Sequence, residues 1–280
     1  MKQYKQLPVR TRKIRKIDLR NKEKVVEKFY DSASKSYYGD HHGRFCDEIL
    51  EYFIFHFLPK PPKEVLDLGG GVGRFALPLA KAGNEVVLVD MSAGMLRSAK
   101  SIAAQSDISL KCINASASDL RTLDRDFDAV ICMNSVLDYC SDYKKVLSEV
   151  KTVLRRDGIF IGSVNNLFCY STENDLKSGK IEIFKKSMKT GNRYIKWGAA
   201  SHGHVTHEFT QKELLDALKT AGFRNIRILG VFNLLGKYFN DRTFLAKIDK
   251  DAFFKLQLEY AKKSEYINNS TDFFFVCKKG

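Results

Sequence analysis

Apolar positions recur at helical spacing in the first fifth of the chain, then condense into short unbroken runs. Val25, Val26, Phe29 and Tyr30 fall on one face and predict a helix over 22–30. Residues 31–45, DSASKSYYGDHHGRF, read as loop. Ile49, Leu50, Phe53, Ile54, Phe57 and Leu58 form a stripe that predicts a helix over 46–58, with Asp47, Glu48 and Glu51 near its positive end. PKPP at 59–62 stops it. From residue 64 strands and helices alternate. EVLDL, EVVLVD, SLKCINA, FDAVICM and GIFIGSV read as strands, with helices between them over 73–82, from the Ser92 cap onward, and over 141–156.

The alternation breaks over the long polar and aromatic stretch 165–208. It resumes at Thr210 and Glu213, a capping box that opens a helix running to Gly222. FRNIRIL follows as a strand, 231–270 reads as helical, and DFFFVCKK is the seventh strand. Nearly continuous apolar strands alternating with helices predict an α/β fold, a mostly parallel sheet covered on both faces. The segments divide as a basic arm and N-terminal lid (1–58), a core (59–164), a helical or loop cap (165–208), and the rest of the core (209–280) with a helical insertion at 231–270.

The chemistry is concentrated in EVLDLGGGVGRF, residues 64–75. In an open parallel sheet the loop after the first strand lies at the ligand crevice, and glycines there let a ligand touch the backbone. A dinucleotide fingerprint G-x-G-x-x-G fits Gly69 and Gly71, but its third glycine falls on Arg74. The set here is Asp67, Gly69, Gly71 and Gly73, with Gly70 between. Asp90 ends the second strand, where a carboxylate can accept both ribose hydroxyls, each such bond contributing about 1.5–3 kcal/mol.

The D-x-G-x-G-x-G pattern resembles motif I of the class I S-adenosylmethionine-dependent methyltransferases of the type 11/25 kind. VDMSAGML resembles their post-I segment, ASASDL their acidic adenine-edge motif, FDAVICMNSVLDY their motif IV, and VLRRDGIFIGSVNN the turn and strand that follow. HEFTQKELLDALKTAGF is similar to the stretch leading into their last helix and sixth strand. The likeness covers about 60–165 and 204–230 and implies a Rossmann-like seven-stranded sheet with the last strand antiparallel. It implies S-adenosylmethionine as cofactor and S-adenosylhomocysteine as product. Gly69, Gly71 and Gly73 would face the methionine end, Asp67 its ammonium, and Asp90 the ribose. Met91 would pack on adenine, Ser116 and Ala117 would line its edge, and Met133 and Asn134 would close the floor. Ser116 stands where the family often has aspartate. Tyr30, Tyr38 and Arg44 would belong to a lid, with Arg44 facing the cofactor carboxylate.

For the acceptor, an O or N nucleophile must sit in line with the methyl–sulfur bond, and orientation alone is worth about 7–11 kcal/mol. A phenol, alcohol or amine also needs a base. His207 leads the candidates, followed by Asp138 and Tyr139, then His202, His204 and Glu208. The histidine spacing matches no common zinc motif, so no metal is expected. Met133-Asn134-Ser135-Val136 stands where adenine-N6 methyltransferases carry a Pro-Pro pair.

Charge adds one more consideration. The chain carries 47 Lys plus Arg against 33 Asp plus Glu, a net +14, and 2–16 holds seven cations and no acid. Such a field draws polyanions or acidic peptides. A small-molecule or peptide acceptor is expected, with an acidic one suited to the charge; an RNA acceptor reached by the arm and a non-catalytic cofactor-binding module are the alternatives. Neither a signal peptide nor a membrane-spanning run is visible, and six cysteines without a C-x-x-C pair read as thiols in a reducing cytoplasm.

Overall fold

The computed structural model describes residues 22–33, 41–61, 63–121, 123–177, 179–195, 204–235 and 246–280. The strands are β1 (Glu64–Leu68), β2 (Glu85–Asp90), β3 (Lys111–Asn114), β4 (Phe127–Cys132), β5 (Leu154–Asn165), β6 (Asn192–Ile195), β7 (His204–His207), β8 (Phe223–Val231) and β9 (Asp272–Lys279). Seven of them form one sheet in the order β3-β2-β1-β4-β5-β9-β8. Its first five strands pair in parallel, and β9 runs antiparallel between β5 and β8. The strand order reverses between β1 and β4, which opens a crevice beyond their carboxyl ends.

Two apolar layers cover the sheet. One is built from α2 (His41–Phe57), α3 (Ala76–Lys81), α4 (Ala93–Gln105) and α10 (Lys250–Ala261), with Phe53 fully buried at its centre. The other is built from α6 (Tyr143–Val153) and α9 (Gln211–Thr220) around Phe160 and Phe275. Each fully buried aromatic of this kind contributes about 1.5–3 kcal/mol of transfer free energy. Ser92 and Thr210 accept backbone N–H groups from Met95 and Glu213, as their positions in the sequence predict for N-caps.

Several boundaries differ from the sequence reading: α3 starts at Ala76 rather than 73, and within 231–270 β8 runs on to Val231 and the longer described helices are Lys250–Ala261 and Ser264–Ile267. The segment 31–45 is not all loop: α1 (Lys22–Ala33) runs to Ala33 and α2 begins at His41. Phe45 explains the early start of α2, because its ring is buried against Phe253 and Phe254. Helix α6 stops at Val153, and β5 starts at Leu154 with an irregular register against β4 around the positive-φ residue Asp157. The polar stretch 165–208 is structured where described. It holds α7 (Leu167–Ser171), a π-helical turn (Thr172–Leu176), α8 (Ile181–Thr190) and the β6–β7 hairpin. Its polar residues are tied inward: Arg193 Nη1 lies 2.7 Å from Glu208 Oε1, and both side chains are buried. Among the described residues no helix is long and apolar enough to cross a membrane.

Candidate functional site

The residues after β1 wrap a cleft of about 950 Å³, partly open to solvent, at the crevice between β1 and β4. Gly69 takes φ 71°, and a Cβ there would come within 2.5 Å of the Val136 side chain. Only glycine satisfies both the left-handed backbone and that close approach. Gly70 sits over the Asp67 carboxylate, with 2.5 Å between the place of a Cβ and Asp67 Oδ2. That oxygen is buried and has no hydrogen-bond partner among the described residues. Burial first, and then the negative charge of Asp90, push the Asp67 carboxyl up to about 7.

Asp90 fastens the loop to the end of β2. Its Oδ2 accepts the Gly71 N–H at 2.9 Å and its Oδ1 the Ser92 N–H at 2.8 Å. Each carboxylate oxygen retains a second lone pair for a ligand hydroxyl. Burial raises the Asp90 carboxyl, while the two N–H groups pull it back down. The cleft is completed by Met91, by Ser116 and Ala117 after β3, and by Met133 and Asn134 at the end of β4. Asn134 and Ser135 are consecutive residues in the left-handed region, at φ 55° and 64°. Strained backbone of this kind is held in place by its neighbours. Here the Asn134 N–H donates to Ser163 Oγ at 2.8 Å and Ser135 Oγ to Asn165 Oδ1 at 2.6 Å.

Helix α1 closes one side, with Glu23, Val26 and Tyr30 facing the cleft. It is pinned near both ends. Lys22 Nζ donates to the Asp138 and Cys140 carbonyl oxygens at 2.9 and 2.8 Å. Asp31 Oδ1 accepts from Ser92 Oγ at 2.6 Å and from the Gly94 N–H at 2.8 Å, at the start of α4. Those bonds, led by the Ser92 hydroxyl, hold the Asp31 carboxyl below its ordinary 3.8.

The structure therefore brings Asp67, Gly69, Gly70, Gly71, Asp90, Met91, Ser116, Ala117, Met133, Asn134, Tyr30 and Tyr139 to one cleft. Gly73 lies just behind it, donating its N–H to the Gly70 carbonyl. Asp138 is fully buried and turned away, its Oδ1 accepting the Asn165 N–H at 3.0 Å. His207 lies outside the cleft wall: its Nε2 is 2.8 Å from Glu213 Oε1, its Nδ1 is 3.3 Å from Asn192 Oδ1, and its ring stacks on Tyr143. Tyr38, the Arg44 side chain and His202 lie outside the described residues. Among the described residues no His, Cys, Asp or Glu cluster is arranged to hold a metal ion.

The sequence reading missed the two anchors of α1, Lys22 and Asp31, and the ion pair of Arg74 with Asp47 at 2.7 Å. Asp47 is spaced for a helix start, and nothing local signals a partner 27 residues away. For Arg74 there was a signal: a cation exactly where a nucleotide loop would place glycine.

A sequence model of the methyltransferase domain matches residues 65–158. The chain is 30% identical over 217 residues to the protein MJ1252 of Methanocaldococcus jannaschii, covering 75% of this chain and 81% of that one. It is 33% identical over 146 residues to the tRNA 5-carboxymethoxyuridine methyltransferase of Escherichia coli K12, covering 50% of this chain and 54% of that enzyme. It thus spans about half the length of that relative. Among solved structures, the PH0226 protein of Pyrococcus horikoshii superposes with a TM-score of 0.60 at 20% identity, over 86% of this chain and 92% of that one. The chain belongs to the class I S-adenosylmethionine-dependent methyltransferases. The cleft fits that cofactor: it has a glycine cradle crowded at Gly69 and Gly70 and a buried carboxylate oxygen without a partner among the described residues, suited to a cation.

Proposed function

We propose that the protein transfers a methyl group from S-adenosylmethionine to an O or N nucleophile of a small molecule or peptide. The cofactor supplies a methyl group already activated on a positively charged sulfur. In this reading Asp67 faces its ammonium, Asp90 receives the ribose hydroxyls, and Met91, Ser116 and Ala117 border the adenine. Tyr30 and Tyr139, whose rings meet edge to face at 6.0 Å, shield the reacting groups from water.

The observation that supports the acceptor class is the double anchoring of α1 by Lys22 and Asp31, which fixes that helix as one wall of the cleft. A cleft with a fixed wall and a partly open mouth suits a small or extended acceptor. The test is calorimetry with S-adenosylhomocysteine, followed by transfer of labelled methyl to a metabolite and peptide panel. Cofactor binding with turnover on that panel is the expected result; no binding sinks the reading. The match to an Escherichia coli tRNA methyltransferase favours a second acceptor, RNA reached through the basic run 2–16, which lies outside the described residues. RNA binding with a steep salt dependence, lost on deleting 2–16, would select it.

A further inference from the structure

Tyr139 lines the cleft, yet the element that carries it has little of its own to hold the ring there. Helix α5 (Val136–Tyr139) is a single turn of four residues. A helix that short is not stable alone, because its first turn fixes several residues for one hydrogen bond. The chain enters it through Asn134 and Ser135, both at positive φ. At its exit the carbonyl groups are met one by one. The Cys140 thiol donates to the Val136 carbonyl at 3.2 Å, and the Cys140 N–H to the Leu137 carbonyl at 3.3 Å. The Asp138 and Cys140 carbonyls have a donor from elsewhere in the chain: Lys22 Nζ, at 2.9 and 2.8 Å.

Those two carbonyls flank Tyr139 in sequence, so one ammonium grips the backbone on both sides of the residue. Lysine side chains near a helix C-terminus commonly bond the last carbonyls in this way. This one is buried, at 6% exposure, a depth a lysine reaches only when its charge is well met. The grip extends one residue further, where Glu23 Oε1 accepts the Ser141 N–H at 3.1 Å. Lys22 and Glu23 open α1, and the same helix carries Tyr30, whose ring meets Tyr139 edge to face. Helix α1 thus holds Tyr139 both by its backbone and by its ring. From the sheet side, Asp138 Oδ1 accepts the Asn165 N–H, which fixes that side chain and leaves the two carbonyls to Lys22.

We propose that Lys22 is a positioning residue for the cofactor cleft: by holding the Asp138 and Cys140 carbonyls it sets where the Tyr139 ring stands, and it acts on cofactor binding through that ring. This rests on the methyl-transfer reading above and adds to it a residue that does not itself line the cleft. A lysine that merely tethered α1 would matter equally with or without the Tyr139 ring. A lysine that acts through the ring loses its effect when the ring is gone, and a double-mutant cycle separates the two cases.

The experiment is that cycle on the full chain, read by calorimetry with S-adenosylhomocysteine. Lys22→Met keeps the length of the side chain and removes its donors. It should raise the Kd at least about five-fold in the parent and less than about two-fold in a Tyr139→Ala background. A second readout needs no ligand. With 3-fluorotyrosine incorporated, the ¹⁹F resonance of Tyr139, assigned through Tyr139→Phe, should shift or split in Lys22→Met. The resonance of Tyr52, which packs on Phe254 from α2, should stay in place. If Lys22→Met does not fold, Lys22→Gln goes through both measurements with the same expectations. An equal loss of affinity in the two backgrounds overturns the proposal. So does a Kd within two-fold of the parent in the single variant, and so does an unmoved Tyr139 resonance. Failure of the parent protein to bind S-adenosylhomocysteine would instead sink the methyl-transfer reading, and the ligand-free resonance would still decide whether Lys22 sets Tyr139.

Discussion

Arg74 Nη1 lies 2.7 Å from Asp47 Oδ2, while the other Asp47 oxygen accepts from Asn134 Nδ2 at 3.3 Å. One carboxylate of α2 thereby ties the exit of the glycine loop to the end of β4. Burial raises the Asp47 carboxyl and Arg74 pulls it down, with burial the larger effect. The pair is only partly exposed, so its coupling should lie at the upper end of the range for surface ion pairs. In a double-mutant cycle of Asp47→Ala and Arg74→Ala, chemical denaturation should give a coupling of about 1 kcal/mol. Strict additivity would show that the contact contributes nothing.

Asp90→Ala removes the acceptor of two loop N–H groups together with the proposed ribose contact. Two charge-assisted bonds at about 1.5 kcal/mol each correspond to a loss of about 100-fold in affinity. Calorimetry with S-adenosylhomocysteine should show that loss, with the circular dichroism of the fold unchanged. An affinity within three-fold of the parent would remove Asp90 from the site.

With Asp67 at the proposed cofactor site, binding there should depend on pH. Its carboxyl is raised to about 7, so the folded protein holds this proton well above the ordinary carboxylate range. An ammonium gains from Asp67 only when the carboxylate is ionised. Affinity for S-adenosylhomocysteine should therefore be highest above pH 7 and fall as pH drops through 7, approaching about ten-fold per unit. Asp67→Asn should weaken binding at pH 8 and flatten the slope. A profile equally steep in the variant would assign the titration to another group.

The Asp31 carboxyl is shifted the other way, so its contact is lost only at much lower pH. Its carboxyl is held below 3.8, so the contact with α4 is fully present above that value and is lost as pH falls through the lowered one. Across neutral pH the anchor is constant, and substitution is the way to release it. Asp31→Ala should speed amide exchange in α1 at least several-fold and leave the sheet protected. Unchanged exchange in α1 would mean that the contacts of Lys22, Glu23 and Val26 hold it without Asp31.

Much of the lining of the cleft is legible in the sequence because it is local. Asp67 and the glycines fall within the seven residues 67–73, Asp90 ends the next strand, and the loops after β3 and β4 occupy fixed places in the alternation. The contacts that hold α1 and α2 are not legible: they join Asp31 to Ser92 and Asp47 to Asn134, 61 and 87 residues apart. The three histidines illustrate the limit. His204 and His207 lie three apart in one strand, so they face opposite sides, and periodicity does not say which side meets the cleft. His207 leads on its place beside the Thr210 helix, yet that place gives it Glu213 as a partner, while His204 is the ring behind Tyr139.

The position of β9 also bears on how the sheet is assembled. It pairs with β5 on one side and β8 on the other, yet it is the last of the described strands to be synthesised. Until it arrives, the facing edges of β5 and β8 have no partner, and the phenylalanines 273–275 that fill both apolar layers are missing. A nascent chain on the ribosome therefore carries an open slot flanked by two sticky strand edges, a form prone to mispairing with its neighbours.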